Sequence, residues 1–479
     1  QLFENRDLES GRDQAAVAFL EPGHWRSVHS FRALRGHKLG IWATAKDMAA
    51  KTPPKRNRYV DFLRAVSILV VVIGHWLIAT AWYLDGQVTP GHLLKSHPQF
   101  HWLTWVFQVM PVFFIVGGYS NAVSLESADR KGIDYAGWLA ARLHRLVAPM
   151  LVLFFAWAAV ALAMHLAGVS PAVIVYVSKS ALVPTWFLAI YVMLVILAPP
   201  AYRLWRRFGF ASFLGFVALA VVVDVAFFVF DQRWLGWTNY FWVWIAVHQL
   251  GFAWRDERLG SPVTMLAVAV VGFVALYFMI HAGPYPMAMV GSPDEGLSNT
   301  LPPKATLVAL ALLQCGLLIA VEGPLRRALD NLRLWAATVL VNSMIMTLYL
   351  WHKTVLVIIG SALVLLGGYG LRLEPGTSEW WWSRPLWIGF LLLCLLPVAL
   401  LLSPLERRSR PPDARIPAAA QQISGAAMIC LGVALLILWG FGGGPRPWAD
   451  DAAIVLVVAG GFLSGLLSFR KGGQADSPD

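Results

Sequence analysis

The sequence predicts an all-α fold, a polytopic membrane protein with about twelve transmembrane helices. Three observations predict it. The 479 residues are 58% hydrophobic and only 14% charged, with a mean hydropathy of +0.61, whereas a soluble chain carries about 25% charged residues. Apolar runs of roughly 20 residues, the length that crosses a hydrocarbon core, recur along the chain. The connections between them alternate between rich and poor in Lys and Arg, as they must when successive helices alternate in direction.

The runs lie near residues 59–82, 102–123, 145–167, 183–201, 211–231, 237–254, 262–282, 304–321, 336–366, 385–404, 424–441 and 452–469. The ninth is long enough to tilt or break. Basic residues collect in KTPPKRNR before the first run, then at Arg130, Lys131, Arg142 and Arg145, and at Arg203, Arg206 and Arg207. They return at Arg255 and Arg258, at Arg326, Arg327 and Arg333, and at Arg407, Arg408, Arg410 and Arg415. These connections and both termini are therefore expected in the cytoplasm, in a multi-pass protein of the cytoplasmic (inner or plasma) membrane. The net charge of +11 orients the chain in its bilayer and does not imply a nucleic-acid partner.

Residues 1–58 read as a basic cytoplasmic segment, lacking the short apolar run and small-residue cleavage site of a secretory signal. A ten-helix region is expected over 59–405. A Pro, Arg and Ala linker over 406–423 separates it from two further helices and a short cytoplasmic tail in 424–479. Cys315, Cys394 and Cys430 fall in apolar runs with no metal or pairing pattern. His92, His97 and His101 match no zinc spacing and read as a solvated outer loop, so no metal is expected.

Ionisable residues inside a span are costly and mark functional candidates. The first run holds Asp61, Arg64 and His75. Arg64 and His75 are eleven residues apart, about three turns and roughly 16 Å, on nearly one face. With the N-terminus inside, Arg64 lies near the cytoplasmic entrance and His75 in the outer half of the membrane. A snorkelling or Asp61-paired anchor is the structural alternative for Arg64, and a hydrogen-bonded packing residue the alternative for His75. Asp224, His248 and Gln314 lie within the expected helices and read as structural polar residues, with an interior network as the alternative. In EPGTSEWWWSR, Glu374, Glu379 and three tryptophans read as an outer loop, either an interfacial belt or a sugar-stacking surface.

These residues carry a resemblance. Asp61, Arg64 and His75, in the pattern D-x-x-R, ten residues, then H, resemble the first helix of the acyltransferase-3 family of membrane acyltransferases. QVMPVFFIVGGYS is similar to the family's F-F-x-x-S-G stretch, with Gly117 where Ser is usual. ARLHRLVAP resembles its R-x-x-R motif through Arg142 and Arg145, TWFL its W-F-L segment with Trp186, and YLWHK its Y-L-x-H segment with Tyr349 and His352. The resemblance covers about residues 59–405 and implies ten helices. It also implies acyl-coenzyme A as co-substrate, with acetyl-CoA the expected donor, and a hydroxyl of an extracytoplasmic glycan or glycolipid as acceptor.

Arg142 and Arg145, three residues apart, share a helix face and could hold a donor phosphate between them, or serve only as inside anchors. The pantetheine arm would run along the Arg64 face toward His75. There His75 would act as general base on the acceptor hydroxyl, or carry the acyl group itself. His352, about nineteen residues beyond Arg333, lies at a similar depth to His75 and would assist it, or else satisfy the ninth helix. Trp186, in the outer layer, would border the acceptor or serve as an aromatic-belt residue, and Tyr349 and Asn342 would line the site. A secondary transporter or lipid flippase, faintly suggested by SADRKG, is the alternative, and proteoliposome flux without acyl-coenzyme A would favour it. A polyprenyl-phosphate-dependent glycosyltransferase would need more acidic residues than the single Asp85 at the outer end of the first helix.

Overall fold

The computed structural model describes residues 40–53, 56–291, 296–406, 415–442 and 448–467. Most of the basic segment expected over 1–58, residues 407–414 of the expected linker and the tail from 468 lie outside the described residues. The helices in chain order are α1 (Ile41–Ala50), α2 (Arg58–Ile78), α3 (Met110–Arg130), α4 (Tyr135–Leu166), α5 (Pro171–Leu182), α6 (Thr185–Phe208), α7 (Phe210–Phe228) and α8 (Asn239–Arg255). They continue as α9 (Pro262–His281), α10 (Thr306–Ala320), α11 (Glu322–Ala328), α12 (Leu332–Ser343), α13 (Ile345–Leu365), α14 (Ser378–Glu406), α15 (Ala419–Trp439) and α16 (Trp448–Leu463).

Among the described residues, nine helices are long and apolar enough to cross a membrane, or ten if the α10–α11 pair, bent by 54°, counts as one span. The chain is thus a multi-pass, all-α protein, with fewer full-length spans than the twelve expected. Two expected spans fall short because α8 has 17 residues and α16 has 16, about 25 Å of helix against a hydrocarbon core of about 30 Å. The long ninth run divides at Met344 into α12 and α13.

The chain forms two compact units. One comprises Gln1–Lys131 and Leu197–Pro404, the other Gly132–Ile196 and Leu405–Asp479. The division falls inside α6.

In the first unit, α2 starts where Asn57 Oδ1 accepts from the backbone N–H groups of Tyr59 and Val60, an N-cap that satisfies two donors the helix cannot. Asp61 follows in the first turn, where the helix dipole favours a carboxylate. At its other end α2 passes directly into a hairpin of β1 (Ala79–Leu84) and β2 (Gln87–His92), paired antiparallel with Ala79 opposite His92. Asp85 and Gly86 have φ of 50° and 79°, the two left-handed residues of the tight turn that matches strand twist. Asp85 is therefore a turn residue. The expected loop at His92 to His101 is instead the end of this hairpin followed by short helical turns at Leu93–Ser96 and Pro98–Leu103.

Gly118 of α3 and Gly251 of α8 let two backbones cross closely, since a Cβ on either would strike the opposite main chain. The tryptophans of EPGTSEWWWSR lie in the first two turns of α14, which begins at Ser378, and not in a loop.

In the second unit, Asp134 caps α4 by accepting from Gly137 N–H at 2.9 Å. The last two helices pack against each other at Gly425, Gly432 and Gly460. They join the rest of the unit through Gln422 Nε2, which donates to Ala136 O at 3.0 Å, and Ser178 Oγ, which accepts from Phe441 N–H at 2.9 Å.

Candidate active site

In the first unit, α2 and α13 bring His75 and His352 together. Nδ1 of His75 lies 2.8 Å from Nε2 of His352, and the two rings are nearly parallel, 5.1 Å apart between centroids. Trp76 locks the helices at this level, its Nε1–H donating to the backbone carbonyl of His352 at 3.0 Å. Tyr349 supplies main chain to the pair: its carbonyl oxygen is 2.6 Å from Nδ1 of His352. Its phenol ring is buried, with its centroid 6.1 Å from that of His352.

These contacts fix both tautomers when the rings are neutral. A carbonyl oxygen can only accept, so Nδ1 of His352 carries that ring's proton and Nε2 keeps its lone pair. His75 must then donate from Nδ1, which leaves its Nε2 unprotonated. His75 is half-buried, whereas His352 is fully buried. The chain Tyr349 C=O, His352, His75 therefore presents one oriented imidazole lone pair. This is the arrangement a general base or an acyl-accepting nucleophile requires.

Nearer the start of α2, Asp61 is buried and sits between two arginines. Arg56 Nε donates to its Oδ2, and Arg64 Nη1 donates to its Oδ1 at 3.3 Å. Arg64 Nη2 also donates to Ser120 Oγ at 2.7 Å, and Ser120 in turn donates to Val116 O. Asn342 of α12 donates to the backbone carbonyl of Asp61 at 2.9 Å, which ties α12 to the same turn. The guanidinium is about one-quarter exposed, and these contacts engage two of its five N–H groups. Ser120 was not singled out by the sequence, although it lies three residues after Gly117, one turn along α3. Helical spacing could have found it.

Asp224, His248 and Gln314 do not form one network. Asp224 accepts from Asn239, Tyr285 and the backbone of Ala305. His248 meets Asn121 and Phe114 O. Gln314 donates to Trp105 O and Gln108 O.

Arg142, Arg145 and Trp186 belong to the second unit. Arg142 is half-buried with its guanidinium 5.7 Å from the Trp138 ring centre, and Arg145, three residues on, is exposed. Trp186, the second residue of α6, meets Phe187 edge-on at 6.3 Å. Among the described residues no group of three His, Cys, Asp or Glu side chains is placed to hold a metal ion.

No curated protein and no solved structure matches the chain. A family described as an acyltransferase domain, acyltransferase-3, matches residues 57–404, a stretch that contains α2 through α13, both histidines and the Arg64 network. By that match over most of its length, the chain belongs to the acyltransferase-3 family.

Proposed function

We propose that this membrane acyltransferase moves an acyl group, with acetyl the expected case, from cytosolic acyl-coenzyme A to a hydroxyl of an extracytoplasmic glycan or glycolipid. The observation that carries the reading is the Tyr349 carbonyl, His352, His75 chain, which leaves Nε2 of His75 as an oriented base inside a membrane helix. The acceptor hydroxyl gives its proton to that nitrogen as its oxygen attacks the thioester carbonyl. The tetrahedral intermediate collapses, the C–S bond breaks, and the thiolate leaving group recovers the proton from the imidazolium as coenzyme A thiol. His352 positions the base by accepting its Nδ1–H throughout, so the positive charge that forms on His75 stays hydrogen-bonded.

A covalent route uses the same atoms: Nε2 attacks the thioester and the thiolate departs, then the acceptor oxygen takes the acyl group from nitrogen while its proton goes to the thiolate, which leaves as coenzyme A thiol. Exchange of radiolabelled coenzyme A into acetyl-CoA in the absence of acceptor separates the two, since only the covalent route regenerates the thioester from an acyl-protein.

The donor enters from the cytosol. Arg142 and Arg145, on one face of α4, hold its phosphates; their spacing and the R-x-x-R resemblance support this role. Arg64, held rigidly by Asp61 and Ser120, guides the pantetheine arm, and Trp186 borders the acceptor. The orientation, with both termini cytoplasmic, follows from the alternation of basic connections.

The test is transfer of radiolabelled acetyl from acetyl-CoA by purified protein in proteoliposomes made with native glycolipid extract. His75→Ala should abolish transfer while inserting and purifying normally. Wild-type turnover by this variant would remove the proposed site.

A further inference from the structure

Two basic groups beside the histidine pair take no part in the chemistry above. The first is His92. The hairpin grows directly from α2, turns at Asp85 and Gly86, and returns with His92 opposite Ala79. Ala79 N–H donates to the backbone carbonyl of His75, so the hairpin carries His92 back to the end of the helix that presents the base. His92 is half-buried, yet its Nδ1 is buried and makes no hydrogen bond among the described residues. Burial and the nearby Lys353 push its pKa down to about 4, so it is neutral at physiological pH.

The second is Lys353, which follows His352 on α13 and is half-buried. It forms no ion pair or hydrogen bond among the described residues, and it lies within electrostatic range of His75, His352 and His92. An ammonium in a membrane-spanning helix is costly and normally finds a carboxylate. Here its neighbours are imidazoles, which cannot neutralise it. An orphaned ring nitrogen and an uncompensated cation beside one reactive imidazole form a site for an anion.

We propose that Lys353 and His92 bind an anionic group of the acceptor, a phosphate or carboxylate near the hydroxyl that His75 deprotonates. This deepens the proposed function and rests on it: the acceptor is an acidic glycan or a phosphate-linked glycolipid, not a neutral one. Lys353 supplies the charge and His92 a directional hydrogen bond, which together fix the hydroxyl over Nε2 of His75.

The experiment uses full-length protein in proteoliposomes with radiolabelled acetyl-CoA. Anion exchange of membrane and soluble extracts gives three acceptor fractions: neutral glycolipid, lipid-linked anionic glycan and soluble acidic glycan. Label should enter one of the two anionic fractions, and which one identifies the source of the anion. For that fraction Lys353→Met should raise KM at least tenfold, Lys353→Arg should restore most of the loss, and His92→Phe should raise KM less. The ratio of transfer to acetyl-CoA hydrolysis should fall in Lys353→Met.

Equal labelling of the neutral fraction, an unchanged KM, or a parallel loss of hydrolysis and transfer would each overturn the proposal. A second measurement needs no donor: retention of the anionic fractions on immobilised detergent-solubilised protein, wild type against Lys353→Met. Retention lost in the variant supports the anion site even if the wild type consumes no acetyl-CoA, an outcome that would defeat the acyl-coenzyme A reading instead. Equal retention by both proteins overturns the site directly.

Discussion

His248 and His75 are two histidines of the same unit, both on apolar helices, and they are satisfied in opposite ways. His248 is buried and closed on both sides: Nδ1 faces the Phe114 carbonyl at 3.1 Å and Nε2 faces Asn121 Nδ2 at 3.2 Å. The carbonyl must accept from Nδ1, so Nε2 accepts from the amide and neither nitrogen remains for chemistry. His75 is held at Nδ1 by His352 alone, and its Nε2 has no protein partner among the described residues. The difference teaches that burial of a histidine does not mark a site. What distinguishes His75 is a hydrogen-bond chain that ends one donor short, on a bare ring nitrogen.

The contrast can be broken by substitution. The largest effect is expected at the base. His75→Ala should abolish detectable acetyl transfer, a loss of about 10²–10⁴-fold expected for removal of a general acid–base group, measured as radiolabel in the extracted acceptor. Arg64→Ala should also abolish detectable transfer, and Arg64→Lys should rescue it poorly because an ammonium cannot reproduce the fork to Asp61 and Ser120.

Next comes the positioning residue. His352→Phe removes the acceptor that holds His75 Nδ1–H and should cost about tenfold or more in kcat with little change in KM for the donor. His352→Gln, whose amide oxygen can accept the same proton, should recover part of that loss. Equal defects in the two variants would mean that His352 only fills space. The smallest effect on transfer is expected at His248→Gln. It should reduce stability by about 1–3 kcal/mol, the cost of unpairing buried polar groups, followed by thermal unfolding in detergent, while turnover per folded molecule stays at the wild-type level. A transfer loss there comparable to that of His75→Ala would erase the distinction between the two histidines.

Much of this was legible before any coordinates. The run lengths and basic alternation indicate a multi-pass α-helical chain because hydrophobic thickness is a one-dimensional constraint. The long ninth run was readable as a span that must tilt or break, and it breaks at Met344. Counting residues from Arg58 and Arg333 put His75 and His352 at one depth, and they are in contact. Depth, however, says nothing of azimuth. Helical spacing could not show that Asp224, His248 and Gln314 point into three separate networks, because their partners come from distant segments. Nor could it show that a hairpin follows α2. The Asp85–Gly86 turn was visible as a dipeptide, but its strands have little of the alternating pattern that announces a half-buried sheet.

The interruption at Met344 has a mechanical meaning for the residues around it. On one flank, Arg64 and His75 ride a single unbroken rod, so their separation is set by helix pitch and cannot be retuned by neighbouring segments. On the other flank, Asn342 and His352 lie on separate helices, with Met344 interrupting the run between them. The helix that carries the partner of the imidazole is therefore not the one that ties to the backbone of Asp61. A substitution at Met344 would thus reach the imidazole's partner without touching the helix that sets the separation of Arg64 and His75.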